Sequence, residues 1–485
     1  MKRRITTAIP VLLAAALAIP ASAAGEFEPL PLSTSYWRDP AFLRAFNASY
    51  RIEARIEPSV SSEERGLLVE IQELMADGDR AGAIERLRES DLTDDSPALI
   101  FNLANLHFEE GDLEAAVERY REAIGEMPSF RRAQRNLAVA LVRKEKLEEA
   151  MPHLLEAIRL GDAEGSTYGL LGYCRLQRGE WASALQAYRL AQLSEPDVVE
   201  WLAGIAQCLQ NLDAREEAAA MLDEVVRKRP AEASYAVLRA SVLLDLGRRT
   251  DAVETLELPH RLGTLDPDSR LLLADLHLRD GRAAAARDRM RAAFPDPGNG
   301  EADPAEAPDD EETGEDEAPP RRPDVSRVAT LAASALRQSD WEFAREVLDL
   351  AAPRALEETP RALRLLEARL LIESGDDPAG GGEILRELIS SDPTDSDALI
   401  ALARHLAAPE DASADALGEA ALLLERAAAD ADADAEARLE LARIHLRGGR
   451  YDEAAEAAAV AYDLDPREEI RQYRDSLASL AEAAQ

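Results

Sequence analysis

A period of thirty-four residues limits this chain more than any other feature. Stepping by 34 from Ala104 lands on Ala138, Gly172, Ala206, Ala240 and Ala274, all small. The same walk from Ala116 meets Ala150, Ala184, Ala218, Ala252 and Ala286, while from Tyr120 it meets Leu154, Tyr188, Leu222, Leu256 and Met290. Small and large apolar positions that hold register this long mark stacked copies of one supersecondary unit, each burying its face on the next. Within a unit the apolar spacing is three or four, as in Leu99, Leu103 and Leu106, which is a helical period. Two amphipathic helices joined near Gly111 or Gly179 and ended by Pro128, Pro196 or Pro230 give a helical hairpin. Alanine-rich helices with only 5% aromatic residues suit this close packing.

These residues resemble the tetratricopeptide repeat, whose pattern has a small residue at position eight, a glycine near fifteen and alanines at twenty and twenty-seven. Six units fit without a gap: 97–130, 131–164, 165–198, 199–232, 233–266 and 267–294. A degenerate unit with Gly78, Ala83 and Leu87 precedes them. In the fifth unit Pro259 replaces the last alanine, which predicts a shortened or kinked helix. Repeats resume more loosely after residue 324, marked by Ala332, Ala344 and Leu348; by Ala368, Gly375 and Leu385; by Ala403 and Ala420; and by Leu441, Ala442, Gly449, Tyr451, Ala454, Ala461 and Pro466. The expected fold is an all-α solenoid of about ten to eleven helix-turn-helix units in two arrays, 63–294 and 325–468. A capping helix follows over 469–485. Between the arrays, residues 295–324 carry twelve acidic side chains and several prolines, so a disordered linker is expected.

The first residues read as an address. Lys2, Arg3 and Arg4 precede an apolar run from Ile9 to Ile19, and Ala21-Ser22-Ala23 offers a cleavage site after Ala23 or Ala24. Residues 1–23 are therefore expected to be a signal peptide, with the mature chain periplasmic or, alternatively, secreted, and with no membrane insertion after cleavage. Residues 24–62 form an aromatic-rich segment with a short helix, concentrating Tyr36, Trp37, Phe42, Phe46 and Tyr50. It is expected to cap the first repeat; the alternative is a partner- or envelope-docking peptide. A formal net charge of −38 repels nucleic-acid phosphates and anionic lipid, which excludes both as expected partners.

Candidate chemistry is sparse. His107, His277 and His445 all fall at position eleven of a repeat, a packing position, and no carboxylate or thiol recurs with them. Asp430, Asp432 and Asp434 imitate the opening of a calcium loop, but Ala435 and Leu441 stand where its glycine and closing glutamate belong. The Gly380-Gly381-Gly382 run lacks a following lysine and reads as a repeat turn. Cys174 and Cys208 share position ten of adjacent units, where helices lie about 8–10 Å apart, beyond disulfide reach. They read as buried apolar residues, with a bridge as the minority alternative. No cofactor or metal is expected, and the chain reads as a binding protein instead of an enzyme.

The resemblance implies that positions two, five, nine, twelve and thirteen of each first helix line a concave partner groove. The second unit places Arg132, Arg135 and Arg143 there with Val139 and Val142; Phe101 and Asn105 precede them, and Tyr173 and Gln177 follow. Guanidinium groups on an acidic protein suit a carboxylate-bearing protein or peptide ligand, unless they merely pair with neighbouring acidic repeats. Val139 and Arg135 depart from the asparagine and lysine of repeats that clamp chaperone C-termini. The expected function is a non-enzymatic interaction scaffold in the bacterial periplasm, an accessory of an envelope machine by analogy with TonB-type or export systems. A structural spacer of two tethered solenoids is the alternative, and an enzyme with a repeat-built site a more remote one.

Overall fold

The computed structural model describes residues 56–294, 323–351, 360–431 and 433–484. The expected signal peptide, the aromatic cluster from Tyr36 to Tyr50, all but the last residues of the acidic stretch, and Asp432 lie outside them. Twenty-four helices make up the described residues, in two compact units that divide between Thr264 and Leu265. No helix among the described residues is long and apolar enough to cross a membrane.

The first unit opens with a hairpin of α1 (Ser62–Ala76) and α2 (Arg80–Arg88), then the single turn α3 (Asp91–Asp94). Five repeat hairpins follow: α4 (Pro97–Glu110) with α5 (Leu113–Glu126), α6 (Arg131–Arg143) with α7 (Leu147–Arg159), α8 (Gly165–Gln177) with α9 (Trp181–Ser194), α10 (Val199–Asn211) with α11 (Arg215–Lys228), and α12 (Ala233–Asp245) with α13 (Arg249–Leu262). The second helix of each of the first four hairpins also packs on the first helix of the next, which makes the core of this unit continuous. The three registers seen in the sequence are that core. Ala104, Ala138, Ala206 and Ala240 have no exposure, and neither do Ala116, Ala150, Ala184, Ala218 and Ala252. Tyr120, Leu154, Tyr188, Leu222 and Leu256 fill the space between hairpins, none more than 2% exposed.

The hairpin turn needs a left-handed residue, and Gly111, Gly179 and Gly247 provide it at φ 87°, 72° and 71°. The equivalent residues of the second and fourth hairpins are Glu145 and Asp213, which take the same conformation at φ 58° and 64°. Repeat packing thus holds the turn even where a side chain makes it costly, by about 1–2 kcal/mol.

Two sequence expectations need correcting. Pro259 neither shortens nor breaks α13, which keeps 14 residues. The proline stands in the last turn, and the helix closes beyond it with Gly263 left-handed and Thr264 N–H bonded to the Pro259 carbonyl at 3.1 Å. The Gly380-Gly381-Gly382 run is not a turn but the first turn of a helix. Asp377 caps that helix by accepting from Gly380 N–H at 2.9 Å, and a Cβ on Gly381 would lie 2.7 Å from the Ala368 carbonyl. The glycines allow two helices to touch.

The second unit holds α14 (Pro267–Arg279) with α15 (Ala283–Ala293), α16 (Val325–Arg337) with α17 (Trp341–Ala351), α18 (Arg361–Ser374) with α19 (Pro378–Ser391), α20 (Ser396–Ala407) with α21 (Ala414–Ala427), α22 (Asp434–Arg447) with α23 (Tyr451–Leu464), and α24 (Glu468–Ala484). The hairpin α14–α15 belongs here, whereas the sequence placed it at the end of the first array. Leu271, Ala274 and Leu278 share a core with Val328, Leu331 and Leu336 of α16, across the intervening acidic stretch. Ala332, Ala344, Ala368, Ala403, Ala420, Ala442, Ala454 and Ala461 are all buried. The last helix covers the end of this core with Ile470, Leu477 and Ala481.

Candidate functional site

The eight candidate groove residues all lie on the row of first helices α4, α6 and α8, and the structure sorts them into small groups. Phe101 is buried between Tyr120 and Phe130, with ring centroids 5.8 and 4.8 Å away. The Arg132 guanidinium stacks over Phe101 at 5.1 Å and Phe130 at 5.7 Å. Its Nε donates to Glu57 Oε2 at 2.7 Å, and Arg131 Nη2 donates to Glu57 Oε1 at 3.3 Å.

Arg135 is 3% exposed, so its charge is matched inside the protein. It pairs with Glu164 and lies 3.9 Å from Asp162 Oδ2, while its Nε donates to Asn136 Oδ1 at 3.3 Å. The chain of bonds runs on: Asn136 Nδ2 donates to Asn105 Oδ1 at 3.0 Å, and the Tyr120 hydroxyl donates to the same oxygen at 2.6 Å. Burial raises the Tyr120 pKa, which keeps the phenol a donor. Asn105 is thus an acceptor that satisfies two buried donors. Val139 is buried at 2%.

Arg143 is exposed, with its guanidinium 4.9 Å over the Phe108 ring and its pKa lowered by partial burial. Tyr173 and Gln177 are both half-buried; burial raises the Tyr173 pKa, and the neighbouring Gln177 side chain partly offsets that rise. Phe101 therefore meets Arg132, Asn105 joins Arg135 through Asn136, and Tyr173 meets Gln177. Arg132 and Arg135 already hold carboxylates of this chain; Arg143 faces solvent.

Sequence reasoning missed Gln207 at position nine of the next first helix, α10. It is 4% exposed, and its Nε2 has no hydrogen-bond partner among the described residues. The register that picked out Asn105, Val139 and Tyr173 would have found it one repeat later. Nearby on α10, Gln210 Nε2 donates to Asp245 Oδ2 at 3.1 Å and Ser241 Oγ at 3.3 Å. Glu57 and Arg131 were also missed, because Glu57 lies outside the period.

The histidines and cysteines considered for other chemistry are packed away, and the aspartates are held by neighbouring side chains. His107, His277 and His445 are buried at 4%, 3% and 6%. Cys174 and Cys208 are free, fully buried thiols whose pKa values burial pushes up to about 12. Asp434 bonds Arg438 Nε at 3.0 Å within its own helix, and Asp430 accepts from Ser396 Oγ at 2.8 Å. No group of three or more His, Cys, Asp or Glu suited to a metal occurs among the described residues.

The tetratricopeptide repeat family model matches residues 101–165, 209–258 and 417–469, segments in both compact units that coincide with hairpins described above. The chain carries tetratricopeptide repeats in these segments. Its fold points to a protein–protein interaction scaffold. Among solved structures, the chain is 21% identical to YrrB, described as a TPR protein with an unusual peptide-binding site, over 43% of this chain and 97% of that one (TM-score 0.33). A tetratricopeptide repeat protein from Parabacteroides merdae is 16% identical over 47% and 91% of the two chains (TM-score 0.37). PilF from Pseudomonas aeruginosa is 17% identical over 40% and 88% (TM-score 0.35). No curated protein matches the chain.

Proposed function

We propose that this chain is an exported, non-enzymatic scaffold of the bacterial envelope that holds an extended peptide or protein segment along its first-helix row. The observation that carries the reading is Gln207, a buried amide on that row whose Nε2 has no hydrogen-bond partner among the described residues. A buried donor without an acceptor costs about 1–3 kcal/mol, and the backbone carbonyl of a bound peptide would satisfy it. Tyr173, Gln177 and Gln210 add polar groups from the same and the preceding first helix. Arg143, open to solvent, suits a carboxylate on the partner. The basic and apolar leader with its Ala21-Ser22-Ala23 site supports the periplasm, where the partner would be an envelope machine encoded beside this chain.

The test is affinity capture from envelope extract with the full chain, the Gln207→Leu variant and the Tyr173→Ala variant. A partner retained by the parent and lost from both variants is expected. Capture that is indifferent to both would move the binding face elsewhere. Fractionation that leaves the protein in the cytoplasm would refute the location. The division into two compact units favours a second reading, a spacer of two solenoids, divided between Thr264 and Leu265 instead of at the acidic stretch. Small-angle scattering that reports one rigid superhelix would remove it.

A further inference from the structure

The segment that precedes α1 does not stay with its own hairpin. Within six residues of the start of α1, the Ile56 carbonyl reaches the first residue of α6 and accepts from Arg131 N–H at 3.1 Å. That helix start has no side-chain cap of its own, whereas α4 is capped by Ser96. Next to it, the Glu57 carboxylate takes both guanidinium groups, and the three side chains are only 13%, 13% and 6% exposed. Phe101 and Phe130 lie under Arg132 and hold it flat. These contacts bridge 74 and 75 residues of sequence. Each element is what recognition of an extended acidic peptide needs: a backbone donor at a positive helix end, two guanidinium groups for one carboxylate, and an aromatic floor.

We propose that Ile56-Glu57 is a resident, displaceable ligand: the chain fills in cis a site for an extended acidic peptide, built from Arg131, Arg132, Phe101 and Phe130. A partner segment with a glutamate in the place of Glu57 competes for this site and frees the strap. The proposal deepens the reading of the first-helix row as a binding face and rests on it. The occupant is on view, so the ligand chemistry comes from the structure: a carboxylate with a backbone carbonyl one residue earlier.

The experiment titrates a fluorescent peptide that copies residues 50–61 into the full-length protein and follows anisotropy. Against the parent protein, the Glu57→Arg variant sets a third positive charge beside Arg131 and Arg132 and should expel the strap. It is expected to bind the peptide at least about tenfold more tightly than the parent does, the scale of one charge-assisted hydrogen bond. A peptide with glutamine in place of that glutamate should lose at least about tenfold, and added salt should weaken the parent peptide's binding. If Glu57→Arg prevents folding, Glu57→Gln in the same titration should still gain several-fold. Equal affinity of parent and variant, or no dependence on the peptide's glutamate, overturns the proposal and leaves the strap a structural tie. Partner capture through Gln207 and Tyr173 uses other residues, so failure there and failure here are separable.

Discussion

Tyr188 offers the sharpest test of how these repeats pack. Its ring, 2% exposed, lies between Gly172 of α8 and Gly204 of α10. A Cβ on Gly204 would stand 2.4 Å from Tyr188 Cζ, and one on Gly172 would stand 2.9 Å from Cγ. Trp201 limits the space beyond, with its ring centroid 6.2 Å from that of Tyr188. Two effects oppose each other in Gly204→Ala. Alanine favours a helix interior by about 1 kcal/mol over glycine. Relieving the overlap requires the ring to move roughly 1 Å in a close-packed core, and overpacking of this kind costs about 1–3 kcal/mol or more. Because the neighbour is a wholly enclosed ring instead of a flexible chain end, the second effect should win. A net loss of up to about 2 kcal/mol is expected, a fall of up to roughly 8 °C in the melting of the first unit. Gly66→Ala is the control, since Gly66 sits exposed in α1 with nothing within 4 Å of a new Cβ. It should stabilise by about 1 kcal/mol. Thermal unfolding followed by circular dichroism reads both, and Gly204→Ala with Tyr188→Leu should cost less than the sum of the two changes. If Gly204→Ala stabilises as Gly66→Ala does, the reasoning about the clamped ring is refuted.

Four further outcomes follow from single contacts. Glu145→Gly removes a side chain from a left-handed turn and should stabilise by about 0.5–1 kcal/mol in denaturant melts, because glycine adopts that conformation without the penalty. Asn105→Ala strands the buried Tyr120 hydroxyl and the Asn136 amide and should cost about 2 kcal/mol or more, whereas Tyr120→Phe leaves Asn105 bonded to Asn136 and should cost less; equal losses would contradict the network. Cys174 and Cys208, with thiol pKa values raised to about 12, should resist alkylation at neutral pH until the chain unfolds, and prompt labelling of the native protein would contradict their burial. His107 and His153 have pKa values held below the ordinary 6.5, chiefly by burial and then by Arg88 and Arg121 respectively. The unfolded chain then binds more protons than the folded one just below pH 6.5, so these groups lower stability as pH falls through that window. His153→Gln should flatten the drop in melting temperature between about pH 7 and pH 5.

The repeat period carried information about the candidate site only where the site is periodic. Asn105, Val139 and Tyr173 were found because they share position nine, and Gln207 shares it too. Charge alone made Arg132 and Arg135 look available. Their partners Glu57, Asp162 and Glu164 come from outside α6, and a charge pattern read along one helix cannot show which neighbours neutralise it. Burial likewise turns Phe101 and Val139 from exposed lining into packing.

What the sequence determined by itself was the hairpin, its register and the inside of each unit. Identical units bury identical faces, so a residue's place in the period decides its burial. That is why the small and large registers, the position-eleven histidines and the two cysteines all went where the spacing put them. Tertiary structure decided what the period leaves free. It held Glu145 and Asp213 in a turn that glycine prefers, carried α13 through Pro259, and drew the triple glycine into a helix so that two helices could meet. It also joined α14 and α15 to the unit beyond the acidic stretch, and brought Glu57 onto Arg131 and Arg132. Each of these depends on contacts between segments far apart in the chain, where packing and charge neutralisation outweigh local preference.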